Sequence, residues 1–346
     1  MRRILFFIFL LSLHAAAAGA GPGSSSFDFM NIHEGAREAG IGNASAISRG
    51  ANAVWWNPAG LAYLERATVN LSYNSWFDGI ARQRAGYSFL MQNRSAGAVN
   101  LLLHSVTGID GYDWHGTPTS ELKAASYAVS YSQARRFSNT VAAGLSIKGL
   151  FEILDEHDAW AACIDAGVIF EPADNFWISA GVKNAGASGS FIRENEPLPF
   201  TVFTGLGLTL NRYLLISADL LRLDGQLRYG GGVEAGLWGL LFFRGGWNNF
   251  SDISDSFHLG AGWRFKDITI DYAYAPFGDL GTVHRVDLTY EFGSPPLIEN
   301  LYRMAKRLYS AGNYREAFIE FGKVHSLDPR YKQIRSWLEK TRQKIE

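Results

Sequence analysis

The side chains that could do chemistry are dispersed along this chain and form no catalytic motif. The sequence has no HExxH, no GxSxG, no phosphate-binding glycine loop and no paired Cys/His spacing for a metal. Asp110 with Asp113, and Asp252 with Asp255, could bind Ca²⁺ in predicted loops. Such a site needs about 6 to 8 oxygen ligands, so solvated loop carboxylates are the preferred interpretation. We therefore expect a protein that is not an enzyme and needs no cofactor.

Charged residues instead recur at alternate positions of predicted strands, where they would share the inward face of a closed sheet. Both signs occur in similar number, which predicts neutralising pairs that fill a polar interior. An ion-selective pore is the less favoured alternative. The predicted inward charges are Lys148, Asp165, Lys183, Asp219, Arg228, Glu234, Arg244, His258, Arg264, Asp271, Arg285, Asp287 and Glu291.

The strand period organises the chain from Ala67 to Phe292, because apolar and polar residues alternate in segment after segment. In the last segment, Val286 and Leu288 share a face, and Arg285 and Asp287 share the opposite one. The pattern predicts fourteen strands of about 9 to 11 residues, the length that crosses a bilayer when tilted. They lie near 67–75, 82–91, 96–104, 122–133, 139–149, 159–170, 175–184, 199–210, 212–221, 226–237, 240–248, 256–265, 267–275 and 282–292.

A soluble β-sandwich would show the same alternation of apolar and polar residues. The lengths of the connections between strands therefore have to distinguish a sandwich from a membrane barrel. Even-numbered turns are short, whereas odd-numbered loops are mostly longer, notably 105–121, 151–158, 185–198 and 249–255. This asymmetry, together with an even strand count, is typical of bacterial outer-membrane barrels. The predicted fold is an all-β transmembrane barrel over 67–293, in contact with outer-membrane lipid. An even count also places the N-terminal segment and the C-terminal module on the periplasmic side.

Residues 1–20 have the pattern of a cleaved secretory signal peptide, with a basic start, an apolar core and Ala18-Gly19-Ala20 as the cleavage site. A membrane anchor is the alternative, but it needs about 20 apolar residues. Cys163 is the only cysteine, so a disulfide within the chain is excluded.

Residues 21–66 form a Gly- and Ala-rich segment that ends in an unusual turn. Pro58 is expected to open a short helical turn and Gly60 to end it, with an extended Asn57 before them. A buried turn that seals one end of the β-domain is favoured over a ligand-handling role. The motif is Trp55, Trp56, Asn57, Pro58, Ala59 and Gly60.

The segment 298–346 follows a linker at 294–297 and has helical spacing. Eleven Lys/Arg and six Asp/Glu lie between Glu299 and Glu346, whereas the chain without this segment and the Arg2-Arg3 start carries a net charge of −8. The run resembles one tetratricopeptide repeat followed by a third helix. It is either a small packing unit or a docking site for a partner protein, and the basic surface favours an acidic one. The expected packing residues are Gly312, Tyr314, Ala317, Phe321 and Pro329, with Gly312 and Ala317 allowing close helix approach and Pro329 starting the next helix.

The runs AREAGIGNASAI (36–47) and NAVWWNPAGLAYL (52–64) resemble the N-terminal signature of FadL-like outer-membrane barrels, and more closely the PorV/PorQ branch. EPLPFTVFTGLGLTL and DYAYAPFGDLGTVHRVDLTYEF agree with that branch. The resemblance implies a fourteen-stranded barrel with an N-terminal plug in its lumen. Members usually carry an acidic residue shortly before the Asn-Pro-Ala-Gly turn, where this chain has Gly50-Ala51-Asn52-Ala53.

Two functions of different classes follow. The PorV/PorQ resemblance implies a role in protein secretion or surface attachment of the type IX kind, with the helical module as docking arm. The alternative is a FadL-like passive transporter that accepts a hydrophobic ligand. A permanently plugged structural protein of the envelope is a third possibility. No feature indicates a nucleic-acid partner.

Overall fold

The computed structural model describes residues 25–32, 34–42, 46–138, 140–173, 175–189, 197–211, 213–223, 225–250, 256–293, 296–329 and 331–346. The predicted signal peptide, residues 21–24 of the plug segment, and the Asp252 and Asp255 pair lie outside these residues. Contacts divide the chain into two units, 1–291 and 292–346, which are described separately below.

The first unit is a closed antiparallel barrel of fourteen strands, so the predicted fold class is confirmed. Each strand pairs with its neighbours in the chain, and β1 closes on β14. The strands are β1 Ala67–Ser75, β2 Ile80–Met91, β3 Ser95–Val106, β4 Ala124–Arg136, β5 Val141–Leu154, β6 His157–Ala173, β7 Phe176–Ser188, β8 Thr201–Asn211, β9 Leu214–Leu223, β10 Gln226–Leu237, β11 Leu241–Asn248, β12 Ser256–Phe265, β13 Ile268–Pro276 and β14 Thr282–Phe292.

Apolar side chains face outward at every second position because a strand has a period of two. Ile270 on β13 opposes Leu288 on β14 on the outer face, while Asp271 opposes Asp287 on the inner face. Exposed aromatic residues occur near both rims, which is the girdle pattern of outer-membrane barrels. They include Trp160 and Phe257 near the long-loop rim, and Phe137, Trp238 and Phe265 near the short-turn rim.

Strands β4 to β7 are longer than predicted, at 13 to 17 residues. The pairing of β6 with β7 also shifts, because Ile164 opposes Ala185 whereas Ala166 opposes Val182. One extra residue is therefore inserted in β7, as in a β-bulge. The sequence pattern did not indicate this irregularity.

The described residues of the segment, 25–32, 34–42 and 46–66, lie within the barrel. They contain short 3₁₀ turns at Asp28–Asn31, Ala51–Trp55 and Pro58–Tyr63, and helix α1 at Ala36–Gly40. The turn Pro58–Tyr63 packs against β3 to β6, and α1 packs against β11 to β13. Residues 25–28 contact the long-loop ends of β3 to β6, so this part of the segment lies at the opposite end of the lumen from the start of β1. The periplasmic side predicted for the N-terminal segment and for the C-terminal module stays a prediction.

The second unit contains helices α2 Pro296–Ser310, α3 Tyr314–Leu327 and α4 Ile334–Ile345. Helix α2 begins at Pro296, inside the predicted linker, because proline fits the first turn of a helix. Among the helices of the described residues, none combines the length and apolarity needed to cross a bilayer.

Candidate functional site

The Asn57-Pro58 turn is held by hydrogen bonds that only Asn57 can make here. Asn57 is fully buried and extended, with φ −142° and ψ 106°. Its Oδ1 accepts a hydrogen bond from Ala59 N at 3.0 Å, which caps the helical turn, and its Nδ2 donates to Val168 O of β6 at 3.2 Å. One amide side chain therefore both starts the turn and ties it to the barrel wall.

Two glycines of the wall leave room for this turn. A Cβ at Gly144 of β5 would collide with the backbone of Pro58, and one at Gly167 of β6 would collide with the Asn57 side chain. The space that inward glycines were expected to leave is thus occupied by the plug at these two positions.

Gly60 does not end the helical turn as predicted, because the turn continues to Tyr63. A Cβ at Gly60 would collide with the carbonyl oxygen of Ser48, and Gly50 N donates to Gly60 O at 3.0 Å. The residue is required for the close approach of two plug segments rather than for termination.

Trp55 and Trp56 are each 4% exposed and form the apolar centre of the plug with Ala59, Leu61 and neighbours on the wall. Trp56 Nε1 donates to Glu34 O at 2.8 Å. The ammonium group of Lys183 lies 5.3 Å from the Trp56 ring and that of Lys148 lies 5.9 Å from the Trp55 ring. These distances are within the range of cation–π contacts.

A first ion-pair network joins α1 to the wall. Arg37 Nε and Nη2 each donate to the Glu234 carboxylate at 2.9 Å. Arg244 Nε donates to the same carboxylate at 2.6 Å, and Arg244 Nη1 reaches Asp271 at 2.7 Å. The structure thus brings together three of the predicted inward charges, Glu234, Arg244 and Asp271. Arg37 of the plug completes the network.

A second network contains residues that the sequence analysis did not select. Arg82 Nε donates to Glu34 Oε1 at 2.9 Å, and Arg82 Nη1 donates to Phe29 O at 2.7 Å. Asp287 accepts from Ala36 N at 3.0 Å, and its carboxylate lies 3.6 Å from Arg84 Nη2. Arg82 and Arg84 alternate with outward residues on β2, which was the available signal for them.

Glu38 lies between the two networks and is 1% exposed. Burial and the charge of Asp287 raise the pKa of its carboxyl while the charge of Arg37 lowers it, and the net shift is from 4.5 to about 7. Asn52 Nδ2 lies 3.4 Å from Glu38 Oε2, and Asn52 Oδ1 accepts from Arg84 Nη2 at 2.9 Å. The position where relatives were expected to carry an acid is therefore filled by an amide that contacts a carboxyl from another part of the plug.

The other predicted inward charges are distributed around the lumen. Lys148 Nζ lies 2.5 Å from Asp165, and Arg264 is exposed near the short-turn rim. Glu291 lies 3.8 Å from Arg66 near the same rim. Asp219, Arg228, His258 and Arg285 are buried or half-buried on the inner face. No cluster of three or more metal-ligating side chains occurs among the described residues.

The plug leaves cavities near both ends of the lumen. A cavity of about 290 Å³ near the long-loop rim is lined by residues that include Phe27, His104, Ala124 and Glu152. A larger cavity of about 490 Å³ near the short-turn rim is lined by residues that include Arg37, Glu38 and Glu234. Beside Trp55 and Trp56 a pocket of only about 30 Å³ is present.

The residues predicted to pack the helical module have different roles. Ala317 and Phe321 are fully buried, and Tyr314 packs edge-on against Tyr309 at 5.3 Å. Gly312 is exposed with φ +81° and nothing near its Cβ position, so it serves the left-handed turn between α2 and α3 rather than close packing. Pro329 lies in the turn before Tyr331–Gln333 and does not start α4.

No protein-family model matches this sequence. No curated protein matches it at the threshold applied. Solved structures do match in fold. The toluene transporter TodX of Pseudomonas putida aligns with a TM-score of 0.55 at 13% identity, covering 74% of this chain and 96% of TodX. A FadL homologue of Pseudomonas aeruginosa gives 0.52 at 12%, covering 80% and 100%. The CymD monoaromatic hydrocarbon channel gives 0.54 at 12%, covering 75% and 99%.

At these identities the likeness establishes the fold, which is the closed fourteen-stranded barrel of FadL-type outer-membrane channels. It supports the predicted outer-membrane location. TodX is a toluene transporter and CymD is a monoaromatic hydrocarbon channel.

Proposed function

We propose that this protein is a passive outer-membrane channel for hydrophobic small molecules. The observation that carries the proposal is the pair of cavities near opposite ends of one lumen, with an apolar plug between them. The cavity near the long-loop rim is close to the lower limit of small-molecule pockets, which is about 300 Å³. Its lining combines apolar side chains such as Phe27, Ile153 and Leu154 with polar ones such as His104 and Glu152, and the apolar part offers a contact surface to a small hydrophobic molecule that enters from this rim.

The TodX and CymD structures support this proposal, because they are channels for toluene and monoaromatic hydrocarbons on the same fold. The buried networks around Arg37 and Glu34 explain why the lumen is closed at rest. Passage then requires that the plug shift, since the pocket beside the two tryptophans is too small for such a ligand.

The test is uptake of a labelled monoaromatic hydrocarbon by intact cells that carry the barrel in their outer membrane. Pure phospholipid vesicles do not serve, because hydrophobic molecules cross them unaided. We expect faster initial uptake than in cells without the barrel. Ala124→Trp, which fills the cavity near the long-loop rim, should abolish the gain, whereas the matched change Tyr127→Trp on the outer face should preserve it. Equal uptake with and without the protein would reject the channel.

Protein secretion is a second proposal, supported by the separate helical unit at 292–346. Its test uses cells of the bacterium that naturally makes this protein, carrying either the whole chain or a chain that ends at Phe292. The proteins that the two strains release are compared. Selective loss of surface or secreted proteins, with hydrocarbon uptake intact, would support a docking role. An unchanged set of secreted proteins would reject it.

A further inference from the structure

Helices α2 and α4 of the C-terminal unit share an unusual group of two cations around one indole ring. Lys306 Nζ lies 5.2 Å from the centre of the Trp337 ring, and Lys340 Nζ lies 5.5 Å from the same ring. The two ammonium groups are therefore no more than about 11 Å apart, comparable to the Debye length at physiological salt. They repel each other in the free protein.

Among the side chains that the structure describes, Lys306 and Lys340 have no ion pair, whereas Lys323 pairs with Glu320 at 2.6 Å and Arg342 pairs with Glu346 at 2.9 Å. Lys323 on α3 and Arg342 near the end of α4 are thus paired, whereas the two cations beside the indole have no ion-pair partner among the described side chains.

The ring between them is fixed in place. Trp337 stacks on Phe321 with ring centres 5.4 Å apart and meets Tyr309 edge-on at 5.4 Å, yet it remains half-exposed. An ordered aromatic ring with two ammonium groups beside it is a suitable contact for a ligand that presents carboxylates beside apolar atoms.

We propose that the cluster of Lys306, Trp337 and Lys340 binds an acidic peptide segment of a partner protein. Charge complementarity selects this occupant, because carboxylates would neutralise both ammonium groups and relieve their repulsion. The aliphatic part of a Glu side chain would contact the part of the indole that remains accessible. The proposal concerns the second unit alone and does not depend on the transport proposed above.

The test uses the full-length protein in nanodiscs of zwitterionic lipid and a fluorescein-labelled octaglutamate peptide, with binding followed by anisotropy. We expect saturable binding that weakens as salt rises and is absent for octaglutamine. Lys306→Gln with Lys340→Gln should weaken binding about 3- to 10-fold. The matched pair Arg315→Gln with Lys323→Gln removes the same charge from α3 and should leave binding unchanged. Lys306→Arg with Lys340→Arg should retain binding, which separates loss of charge from loss of fold.

An equal loss in the α3 control pair would overturn the proposal, because it would show attraction by net charge alone. So would failure of octaglutamate to bind while vesicles of phosphatidylglycerol do, since the surface would then recognise anionic lipid. Hydrocarbon uptake should be unaffected in all three double variants, so that failure here and failure of the channel are distinguishable.

Discussion

Arg37 of the plug and Glu234 of strand β10 form a two-pronged ion pair, with both N–O distances at 2.9 Å. A planar guanidinium fits a carboxylate in this way, which fixes orientation as well as position. The same carboxylate is held by Arg244. The pair therefore anchors α1 to a charge that is already fixed on the wall.

Arg37→Gln should release the plug more often. Loss of a charge-assisted hydrogen-bonded contact costs about 2 kcal/mol, which is about a 30-fold rise in the population of a displaced plug. Ion conductance in planar bilayers should show correspondingly more openings. Arg342→Gln, which breaks an exposed pair in the helical unit, is the control and should leave conductance unchanged. Identical traces for Arg37→Gln and wild type would show that this pair does not hold the plug.

Gly167→Ala should disturb the seat of the Asn57 turn, because the added Cβ would collide with the Asn57 side chain. Overpacking of this kind costs about 1 to 3 kcal/mol, so conductance should rise and resistance to urea should fall. Gly149→Ala on β5 adds the same methyl group where nothing lies within 4 Å. If both variants behave alike, the close approach of the turn to β6 is not important for closure.

Seating of the plug should weaken as pH rises from about 5 to 8. The pKa of Glu38 is raised from 4.5 to about 7 by burial, so the folded state binds more protons than the unfolded state in this range. The stabilisation that the protonated Glu38 carboxyl contributes is therefore fully present below pH 4.5 and is lost as the pH rises through 7. The free energy of unfolding falls by at most about 3 kcal/mol as a result. Glu38→Gln should flatten this dependence in urea unfolding curves measured at pH 5, 6, 7 and 8. A dependence that persists unchanged in the variant would assign it to another group.

Asn184 should stabilise the barrel wall at the bulge of β7. It adopts φ +57°, its N–H donates to Asp165 at 2.8 Å, and its Nδ2 donates to Pro199 O at 3.0 Å. Asn184→Ala loses the side-chain hydrogen bonds. It also places an alanine, whose Cβ is unfavourable at positive φ, in the left-handed region. Asn184→Gly loses only the bonds.

We therefore expect both variants to lower the free energy of unfolding, with alanine lower than glycine by about 1 kcal/mol. Urea titration of the barrel in one detergent measures this difference. Equal stability of the two variants would show that the backbone conformation at the bulge changes on substitution.

The alternation of residue types determined the fourteen strands and the face that each side chain presents, because strand geometry is local and has a period of two. The Asn-Pro pair likewise predicted an extended residue followed by a helical turn, since both effects act within two residues. The sequence also predicted the long connections between β3 and β4 and between β7 and β8, but the long loop expected at 151–158 is only a two-residue turn because β5 and β6 extend further than predicted.

Only the tertiary structure decided which charges meet. Glu34 with Arg82, and Ala36 with Asp287, are brought together by closure of the barrel around the plug, and the latter two are 251 positions apart. Gly60 and Gly312 show the same limit, because a glycine can serve a turn or a close approach, and its neighbours in space determine which. Local rules fixed the elements of this protein, whereas the seat of the plug follows from long-range packing and from charges that must be paired when buried.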